Sequence, residues 1–351
     1  MKPLVSILIP AFNSEHWIAD SIKSAIGQTW QRKEVIIVDD GSTDQTLAVA
    51  RRFASREVTV VSCEHRGASA ARNHALSLSQ GDYFQWLDSD DLLAPTKIAK
   101  QMQAVSECGS DHTLFSSAWD YFAYRISRAK FCPSSLWYDL SPTEWLLRKL
   151  RENLHMQTAT WLVNRKLAEA AGPWDTRLVR DNDGEYFCRV ILASDKIRFV
   201  PDARVYYRVT SSKRLSCVGQ SDEKKDSLLL SMRLHVMYVR SLEDSERVRA
   251  ACLTYLQNWL INFYPERPDI VETLQKLAVE LGGRLEAPRL RWKYDWIRQA
   301  FGWGLAKRAQ RALPEVKTFG MVSWDRLMYN LESSGRSGVP KFRNIGQPVD
   351  N

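Results

Sequence analysis

The stretch VIIVDDGST, residues 35–43, decides the fold, because four β-branched residues run directly into two aspartates and a glycine. Similar apolar runs occupy residues 4–9 (LVSILI), 58–61 and 83–87. Continuous runs of this length are typical of strands buried on both faces, and strands that alternate with helices indicate a parallel sheet. The sequence therefore predicts an α/β fold with a doubly wound, mostly parallel sheet.

Helical segments are predicted between and after these strands. Ile18, Ile22 and Ala25 recur at helical spacing, a second helix is expected to begin at Ser42 or Thr43, and the small residues 67–79 predict a third. Helical periodicity returns later in the chain, over residues 228–239, 248–263 and 270–281. We therefore expect a helical C-terminal region after the α/β part.

Polar residues follow each predicted strand where it ends. They are Asn13 after the first strand, Asp39 and Asp40 after the second, Glu64 and His65 after the third, and Asp88, Asp90 and Asp91 after the fourth. Ligands of doubly wound sheets bind beyond the carboxyl ends of the strands. Four polar clusters in register therefore predict one site at that edge.

The sequence LDSDD, residues 87–91, places three carboxylates close together at a strand end. A hard cation such as Mg²⁺ or Mn²⁺ takes oxygen ligands and is typically held by one or two carboxylates together with substrate phosphates. Asp and Ser also cap helices, and Pro95 fits a helix start, so a solvated turn is the alternative for this stretch alone. The other strand-end clusters favour a nucleotide-diphosphate site with Mn²⁺ or Mg²⁺.

Composition excludes several classes of protein. The chain has 351 residues and a formal net charge of +8, concentrated near the C-terminus, so a nucleic-acid footprint over the whole protein is not expected. The six cysteines form no CxxC pair, which argues against a zinc site or a disulfide framework and fits a reducing cytoplasm. We expect neither a secretion signal nor a membrane span, and hence a cytoplasmic protein.

With these motifs in place, the chain resembles the family-2 glycosyltransferases, which have the GT-A fold. The resemblance is carried by VSILIPAFN (5–13), EVIIVDDGSTDQT (34–46), GASAARNHAL (67–76) and LDSDD, in the family's order and spacing. A second block, residues 172–208, is similar to the acceptor half of that family. The resemblance implies an inverting, metal-dependent enzyme with a nucleotide-sugar donor.

The resemblance also implies roles for residues of the first block. Asp40 is expected to bind the base of the nucleotide, Arg72 the nucleotide, Asp88 chiefly the ribose and Asp90 the metal, with Asp88 as a second metal ligand and Asp91 as a third candidate. Pro10, Phe12 and Asn13 are expected to line the donor site. A helix cap is the alternative for Asp40, and a solvated helix face is the alternative for Arg72.

In the second block, Asp183 matches the catalytic base of the family. Asn182 stands where members commonly have Glu, and Asp181 and Glu185 are rivals close in sequence. Glu185 and Arg208 are expected to contact substrate, and Tyr207 and Lys213 are weaker candidates for phosphate contacts. The six histidines lack HExxH-type spacing, so none is assigned to a metal.

The expected function is transfer of a sugar from a nucleotide-sugar, with UDP-sugar as the expected donor, to a glycan or lipid-linked acceptor in cell-surface polysaccharide or glycolipid synthesis. A sugar-phosphate nucleotidyltransferase is one alternative, although residues 10–15 (PAFNSE) are not a glycine-rich phosphate loop. A non-catalytic protein that binds nucleotide-sugars is another. A test of donor hydrolysis separates these possibilities.

Four segments are expected: a nucleotide-sugar-binding half (1–105), an acceptor-binding half (106–216), a helical region (217–335) and a loose tail (336–351). Eight basic residues against two acidic ones lie between Arg284 and Arg311. Trp292, Trp296 and Trp303 are predicted to share one helical face there. Such a helix suits an anionic membrane surface, and packing against its own domain is the alternative.

Overall fold

The computed structural model describes residues 2–209, 221–290 and 292–334. Its strands are β1 (Val5–Ala11), β2 (Lys33–Asp39), β3 (Val58–Ser62), β4 (Tyr83–Trp86), β5 (Leu92–Leu93), β6 (Thr113–Phe122), β7 (Val163–Asn164) and β8 (Lys196–Arg208). Its α-helices are α1 (Ile18–Ile26), α2 (Thr46–Arg51), α3 (Ala68–Leu78), α4 (Lys97–Cys108), α5 (Pro142–Glu152), α6 (Arg165–Ala171), α7 (Asn182–Ala193), α8 (Asp222–Leu242), α9 (Glu246–Trp259), α10 (Pro268–Glu280) and α11 (Trp292–Ser334).

The main sheet has the strand order β3-β2-β1-β4-β7. The first four strands are parallel, and β7 runs antiparallel to β4. All seven residues of β1 are buried, as a central strand covered by helices on both faces requires. The predicted α/β fold with a doubly wound, mostly parallel sheet and a helical C-terminal region is confirmed.

The second helix does not begin at Ser42 or Thr43, as predicted, but at Thr46. The Thr43 backbone N–H is bonded to Asn13 Oδ1, and Asp44 Oδ1 accepts from the Thr46 N–H. Residues 40–45 therefore form a loop beyond β2. This loop lengthens the open edge of the sheet where ligands of such folds bind.

A smaller sheet of order β5-β8-β6 lies beside the main sheet. Strand β5 starts directly after the LDSDD turn and pairs with β8 at Tyr206 and Val205. Strands β6 and β8 are parallel, with an irregularity between Ser117 and Ala118. The end of β8 is thereby carried to the same edge as the carboxyl end of β4.

The C-terminal helices extend the core of the α/β part. Leu228, Met232 and Val236 of α8 are at most 2% exposed and belong to one apolar cluster with Trp161 and Tyr186. The expected boundary between residues 105 and 106 cuts through α4, so the two expected halves are joined inside a helix. The tail at 336–351 and the boundary at 216/217 lie outside the described residues.

Helix α11 is interrupted at Gly302, where φ is 80°. The Trp303 ring packs at 5.0 Å from Tyr264, whereas Trp292 and Trp296 are 88% and 61% exposed. The prediction that these three tryptophans share one face is therefore wrong, because the helix is broken before Trp303. Across the described residues, none of the helices is both long and apolar enough to cross a membrane.

Gly81, two residues before β4, provides a test of the packing beside the sheet. A Cβ at this position would lie 2.7 Å from the Ser6 backbone nitrogen and 2.9 Å from the Tyr83 carbonyl oxygen, and neither atom can move without shifting a central strand. Gly81→Ala should therefore lower the free energy of unfolding by about 1–3 kcal/mol, measured by urea denaturation. Gly304→Ala is the control, because a Cβ at Gly304 meets nothing within 4 Å. A Gly81→Ala protein as stable as wild type would contradict this packing.

Candidate functional site

The loops that follow β1 and β2 are tied together by hydrogen bonds. Asn13 adopts a left-handed backbone conformation, and its side-chain oxygen accepts from the Thr43 N–H at 2.9 Å. The Asn13 N–H donates to Ser42 Oγ at 3.0 Å. Pro10 is a buried residue of β1, in register with Val38, so its side chain does not reach the loop surface.

Asp40 organises the loop that follows β3. Its two carboxylate oxygens accept from the backbone N–H groups of Arg66 and Gly67, each at 2.9 Å, and His65 Nδ1 lies 2.9 Å from Oδ2. The residue is 2% exposed. The exposed Phe12 ring stacks on the His65 ring at 4.2 Å, so a flat aromatic pair lies beside Asp40.

Arg72 on α3 faces the LDSDD turn. Its Nη2 donates to Asp88 Oδ1 at 2.8 Å, and its guanidinium lies 4.4 Å from the centre of the Trp174 ring. The Nε and Nη1 atoms are buried and have no hydrogen-bond partner among the described residues. Buried donors of an arginine rarely remain unpaired, so these two atoms are suited to an oxygen-rich, anionic ligand.

The turn that contains Asp88 and Asp90 is held by its neighbours. The Ser89 hydroxyl lies 2.7 Å from the Ser14 hydroxyl, which joins this turn to the loop beyond β1. The side chain of Asp88 is 29% exposed, and Asp90 is half-buried. Both carboxylates lie at the carboxyl end of β4, at the edge where Asn13 and Asp40 also lie.

The residues of this turn fit a divalent cation that a substrate diphosphate also holds. Within the described residues, no group of three or more His, Cys, Asp or Glu side chains could hold a metal ion by itself. A Mg²⁺ or Mn²⁺ ion bound through phosphates needs only one or two carboxylates. The hard oxygen donors of Asp90 and Asp88 match that requirement.

Asp91 has a different environment from Asp88 and Asp90. It is fully buried, its Oδ1 accepts from the Arg208 backbone N–H at 2.8 Å, and its Oδ2 accepts from Gln157 Nε2. Asp91 thus fixes the turn to the end of β8 and to the loop that precedes β7. The third carboxylate of LDSDD therefore links the turn after β4 to β8 and to the loop before β7.

Arg208 lies in the wall of the site, 3% exposed. Its guanidinium lies 4.5 Å from the ring centres of both Trp17 and Phe122, and Nε donates to the Asp90 carbonyl oxygen at 2.7 Å. Burial lowers the pKa of Arg208 from its usual value, while Asp20, at 3.2 Å from Nη2, favours the charged form. Arg208, which was predicted to contact substrate, is thus a buried cation held directly behind the turn.

Asp183 lies in the first turn of α7, and the Thr158 hydroxyl lies 3.5 Å from its Oδ2. The preceding Asp181 has a left-handed backbone, and its Oδ2 accepts from Ser231 Oγ of α8 at 2.6 Å. A Cβ on Gly184 would lie 2.9 Å from Asp181 Cγ, so glycine is needed for Asp181 to fold over the helix start. These contacts fix the direction of the first turn of α7.

Asn182, which stands where the family commonly has Glu, bridges to the other half of the domain. Its Nδ2 donates to Ser69 Oγ of α3 at 3.1 Å. The same helix α3 carries Arg72. Asn182 departs from the family pattern, and its side chain links the helix of Asp183 to the helix of Arg72.

A cavity of about 280 Å³ opens beside Asp183. Its polar lining includes Lys149, His155, Asp181 and Asp183, and aromatic rings from α5, α7 and α9 form much of the rest. Nearby, Trp119, Tyr121, His155 and Tyr207 have ring centres 5.1–6.4 Å apart. A few aromatic rings therefore lie close to Asp183, whereas Phe115 is a core residue.

Comparison with known proteins identifies a family for the first part of the chain. Residues 6–169 match the family model described as Glycosyl transferase family 2. This part of the chain belongs to that family.

Two curated relatives have informative names. The Bacillus subtilis protein TuaG, named for teichuronic acid biosynthesis, is 37% identical over 144 residues, which cover 39% of this chain and 56% of TuaG. The Escherichia coli UDP-Glc:alpha-D-GlcNAc-diphosphoundecaprenol beta-1,3-glucosyltransferase WfaP is 39% identical over 100 residues, 28% of this chain and 40% of WfaP. The chain thus spans about half the length of these relatives.

The fold is shared with a protein of known structure. The structure of Staphylococcus aureus TarS, residues 1–349 in complex with UDP-GlcNAc, aligns with a TM-score of 0.62 at 18% identity and covers 80% of this chain and 84% of that one. The predicted GT-A architecture is confirmed by this likeness. At this identity the likeness concerns the fold alone.

Among the described residues, the structure brings Phe12, Asn13, Asp40, Arg72, Asp88 and Asp90 to one edge of the sheet, and Asp183 lies at the start of α7. Glu185 is not among them. It is 1% exposed, pairs with Arg189 at 2.7 Å and accepts from the Tyr238 hydroxyl at 3.0 Å. This geometry gives Glu185 a role in packing α7 against α8, and it offers no support for the predicted substrate contact.

Trp174, Gln157 and Thr158 escaped the sequence analysis as residues of this site, whereas His65 was included only in a strand-end cluster. His65 and Trp174 stack on predicted residues, and Gln157 and Thr158 contact Asp91 and Asp183. His65 had a signal, since it follows the third strand; the others had none, because their partners are distant in sequence. Tyr207 belongs to the aromatic group, and Lys213 lies outside the described residues.

The role of Asp91 can be tested with Asp91→Asn. The amide keeps the size of the side chain but places a donor opposite the Gln157 amide group, so we expect a loss of about 1–3 kcal/mol in the free energy of unfolding. Urea denaturation measures it. Asp111→Asn is the control, because the Asp111–Lys166 pair is exposed and such pairs contribute about 0–1 kcal/mol. Equal stability of both variants would count against a structural Asp91.

Proposed function

We propose that this protein is a metal-dependent, inverting glycosyltransferase that moves a sugar from a nucleotide-sugar to an acceptor hydroxyl. The observation that carries the proposal is the connected arrangement of the Asp88–Asp90 turn and Asp183. Asp91 and Gln157 join the turn to the loop whose Thr158 contacts Asp183. A donor site and a candidate base are thereby held by one continuous framework.

The donor is proposed to be a UDP-sugar that lies along the carboxyl ends of β1, β2 and β4. The unpaired Nε and Nη1 atoms of Arg72 would donate to donor oxygens, and Asp40, with the Phe12–His65 ring pair beside it, would lie at the base. Relatives offer support, since WfaP is named for UDP-Glc and TarS was solved with UDP-GlcNAc. Thermal stabilisation by UDP would test this, because a ligand at a hundred times its Kd adds about 2.7 kcal/mol.

Asp90, with Asp88, would hold Mn²⁺ or Mg²⁺. The ion would supply charge neutralisation at the departing diphosphate, which is worth several kcal/mol of transition-state stabilisation. Arg208 would add to that positive field from behind the turn, because its guanidinium is fixed by two rings and by the Asp90 carbonyl oxygen.

Asp183 would act as the base. It would accept the proton of the acceptor hydroxyl, while the bond between that oxygen and the anomeric carbon forms and the bond from the anomeric carbon to the diphosphate oxygen breaks. The electron pair of the broken bond leaves with the nucleotide diphosphate. Thr158 and Asp181 would orient the first turn of α7 for this step. Attack from the face opposite the leaving group inverts the anomeric centre.

The acceptor is proposed to be a glycan, free or lipid-linked, in synthesis of a cell-surface polysaccharide or glycolipid. Aromatic rings beside Asp183 are suited to the apolar faces of sugar rings, and the names of TuaG and WfaP support this class. We propose that the protein works at an anionic membrane surface, where a lipid-linked acceptor is presented.

The base assignment is tested by Asp183→Asn. The amide is nearly isosteric but cannot accept a proton, so kcat for sugar transfer should fall about 10²- to 10⁴-fold. Binding of UDP, measured by calorimetry, should stay close to that of wild type. Asp202→Asn, at an exposed position of β8, is the control and should keep full activity. An Asp183→Asn enzyme with normal kcat would exclude Asp183 as the base.

The metal assignment is tested by Asp90→Ala and by chelation. Removal of this half-buried side chain takes away no core volume, so thermal unfolding should change little while transfer is lost. EDTA should abolish transfer by the wild type, and Mn²⁺ or Mg²⁺ should restore it. Full turnover in chelator would refute the proposed metal dependence.

A further inference from the structure

The second part of helix α11, residues 303–334, is anchored to the body of the protein by polar contacts. Lys307 is 5% exposed, and its ammonium donates to the Tyr264 carbonyl oxygen and to Glu266, each at 2.6 Å. Asp325, about five helical turns later, is 7% exposed and accepts from Arg125 Nε at 2.7 Å. Lys307 and Asp325 lie on the same side of the helix. This inner face is therefore charged.

The opposite side of the same helix faces solvent and carries six large apolar side chains, with Ser323 and Asn330 between them. Its large side chains are Leu305, Val316, Phe319, Trp324, Leu327 and Leu331, which are 47–69% exposed. At about 100° per residue these positions cover roughly 140° of the helix circumference, centred opposite Lys307 and Asp325. We call these six residues the outer stripe.

The outer stripe reverses the usual arrangement of a surface helix, whose apolar face packs inward. Contiguous exposed apolar surface of this length on a soluble protein marks a site of interaction. Before the kink at Gly302, Trp292, Trp296 and Phe301 are also 61–88% exposed. The apolar character of the helix surface therefore continues on both sides of the kink.

Basic residues flank the outer stripe. On the helical wheel Arg308 and Arg326 fall along one edge and Lys317 along the other, and all three are exposed. Among the acidic side chains described after the kink, Asp325 and Glu332 are both bonded to Arg125 on the inner side. The surface around the stripe is thus cationic, and it complements an anionic layer with an apolar interior.

We propose that the outer stripe docks the protein on an anionic lipid bilayer, with α11 lying in the plane of the interface. The apolar side chains enter the boundary between headgroups and acyl chains, and Arg308, Lys317 and Arg326 contact the headgroups. A second copy of this chain fits less well, because a two-fold contact through the stripe would bring the basic edges of both helices together. This inference deepens the proposed function. It rests on that function because docking is useful to an enzyme whose acceptor is presented at a membrane.

The test is sedimentation of the full chain with vesicles of equimolar phosphatidylcholine and phosphatidylglycerol. Wild type should bind at low salt and bind more weakly at high salt or to pure phosphatidylcholine. A variant with Phe319→Ser, Trp324→Ser and Leu327→Ser should lose binding. Its matched control carries Met237→Ser and Val279→Ser, which remove equally exposed apolar side chains from α8 and α10. The control should bind like wild type.

The electrostatic part is tested with Arg308→Gln and Lys317→Gln together. Each cation near the surface is worth about fivefold in affinity, so loss of the pair should weaken binding roughly 25-fold and flatten its salt dependence. Lys100→Gln with Arg233→Gln, at exposed positions on α4 and α8, is the control. An effect of equal size in both double variants would overturn a specific role of the stripe edges.

Donor hydrolysis in solution, without vesicles, separates this inference from the proposed function. The stripe variant should hydrolyse UDP-sugar like wild type, since its substituted residues are outside the proposed active site. Stripe-dependent binding by a protein that hydrolyses no donor would support docking and refute the enzyme. Absence of vesicle binding, binding that the stripe variant retains, or a wild-type dimer that this variant converts to a monomer would each overturn the docking proposal.

Discussion

The buried carboxylate of Asp91 is the interaction on which the rest of the site depends. An isolated ion in a protein interior is costly, so its oxygens must be bonded. The Arg208 N–H and the Gln157 amide group provide bonds from two different elements. The end of β4, the end of β8 and the loop before β7 therefore meet at one carboxylate. Displacement of any one of them would leave a buried charge without its partners.

The C-terminal helices support the candidate base from behind. Ser231 of α8 donates to Asp181, and Tyr238 of the same helix donates to Glu185, which is paired with Arg189. Helix α8 lies beyond the family-model match at residues 6–169. The orientation of α7 in this chain thus depends on a helix that the match does not include. The helical region is part of the architecture of the site and shares its core.

The sequence was sufficient to predict the sheet, because the apolar runs at 4–9, 35–38 and 58–61 are rich in β-branched residues and alternate with helical segments, which is typical of buried parallel strands. It also placed the strand-end residues, since the carboxyl ends of parallel strands meet at one edge. It could not separate Asp90 from Asp91, because their difference depends on Gln157 and Arg208, far along the chain. The Tyr238 partner of Glu185 was hidden for the same reason, whereas its other partner, Arg189, lies only four residues further along α7.

The solvent-facing side of α11 illustrates a second limit of prediction from the sequence. Periodicity identifies an apolar side of a helix, and the usual inference turns that side toward the core. Here the inner side is set by Lys307 with Glu266 and by Asp325 with Arg125, and these pairs join residues distant in sequence. Two ion pairs hold the helix by its charged side, and the apolar side is left outward. The direction of an amphipathic helix is thus decided by its partners, which its own sequence does not contain.

The three carboxylates of LDSDD show that different environments give chemically similar residues different roles. Asp88 is paired with Arg72, Asp90 lies half-buried in the turn with its carbonyl oxygen bonded to Arg208, and Asp91 is fully buried. A carboxylate that must bind a cation needs oxygens that substrate can approach, and one that must join strands needs oxygens that water cannot reach. Both kinds occur within four residues, because the turn after β4 buries Asp91 and leaves Asp88 and Asp90 partly exposed.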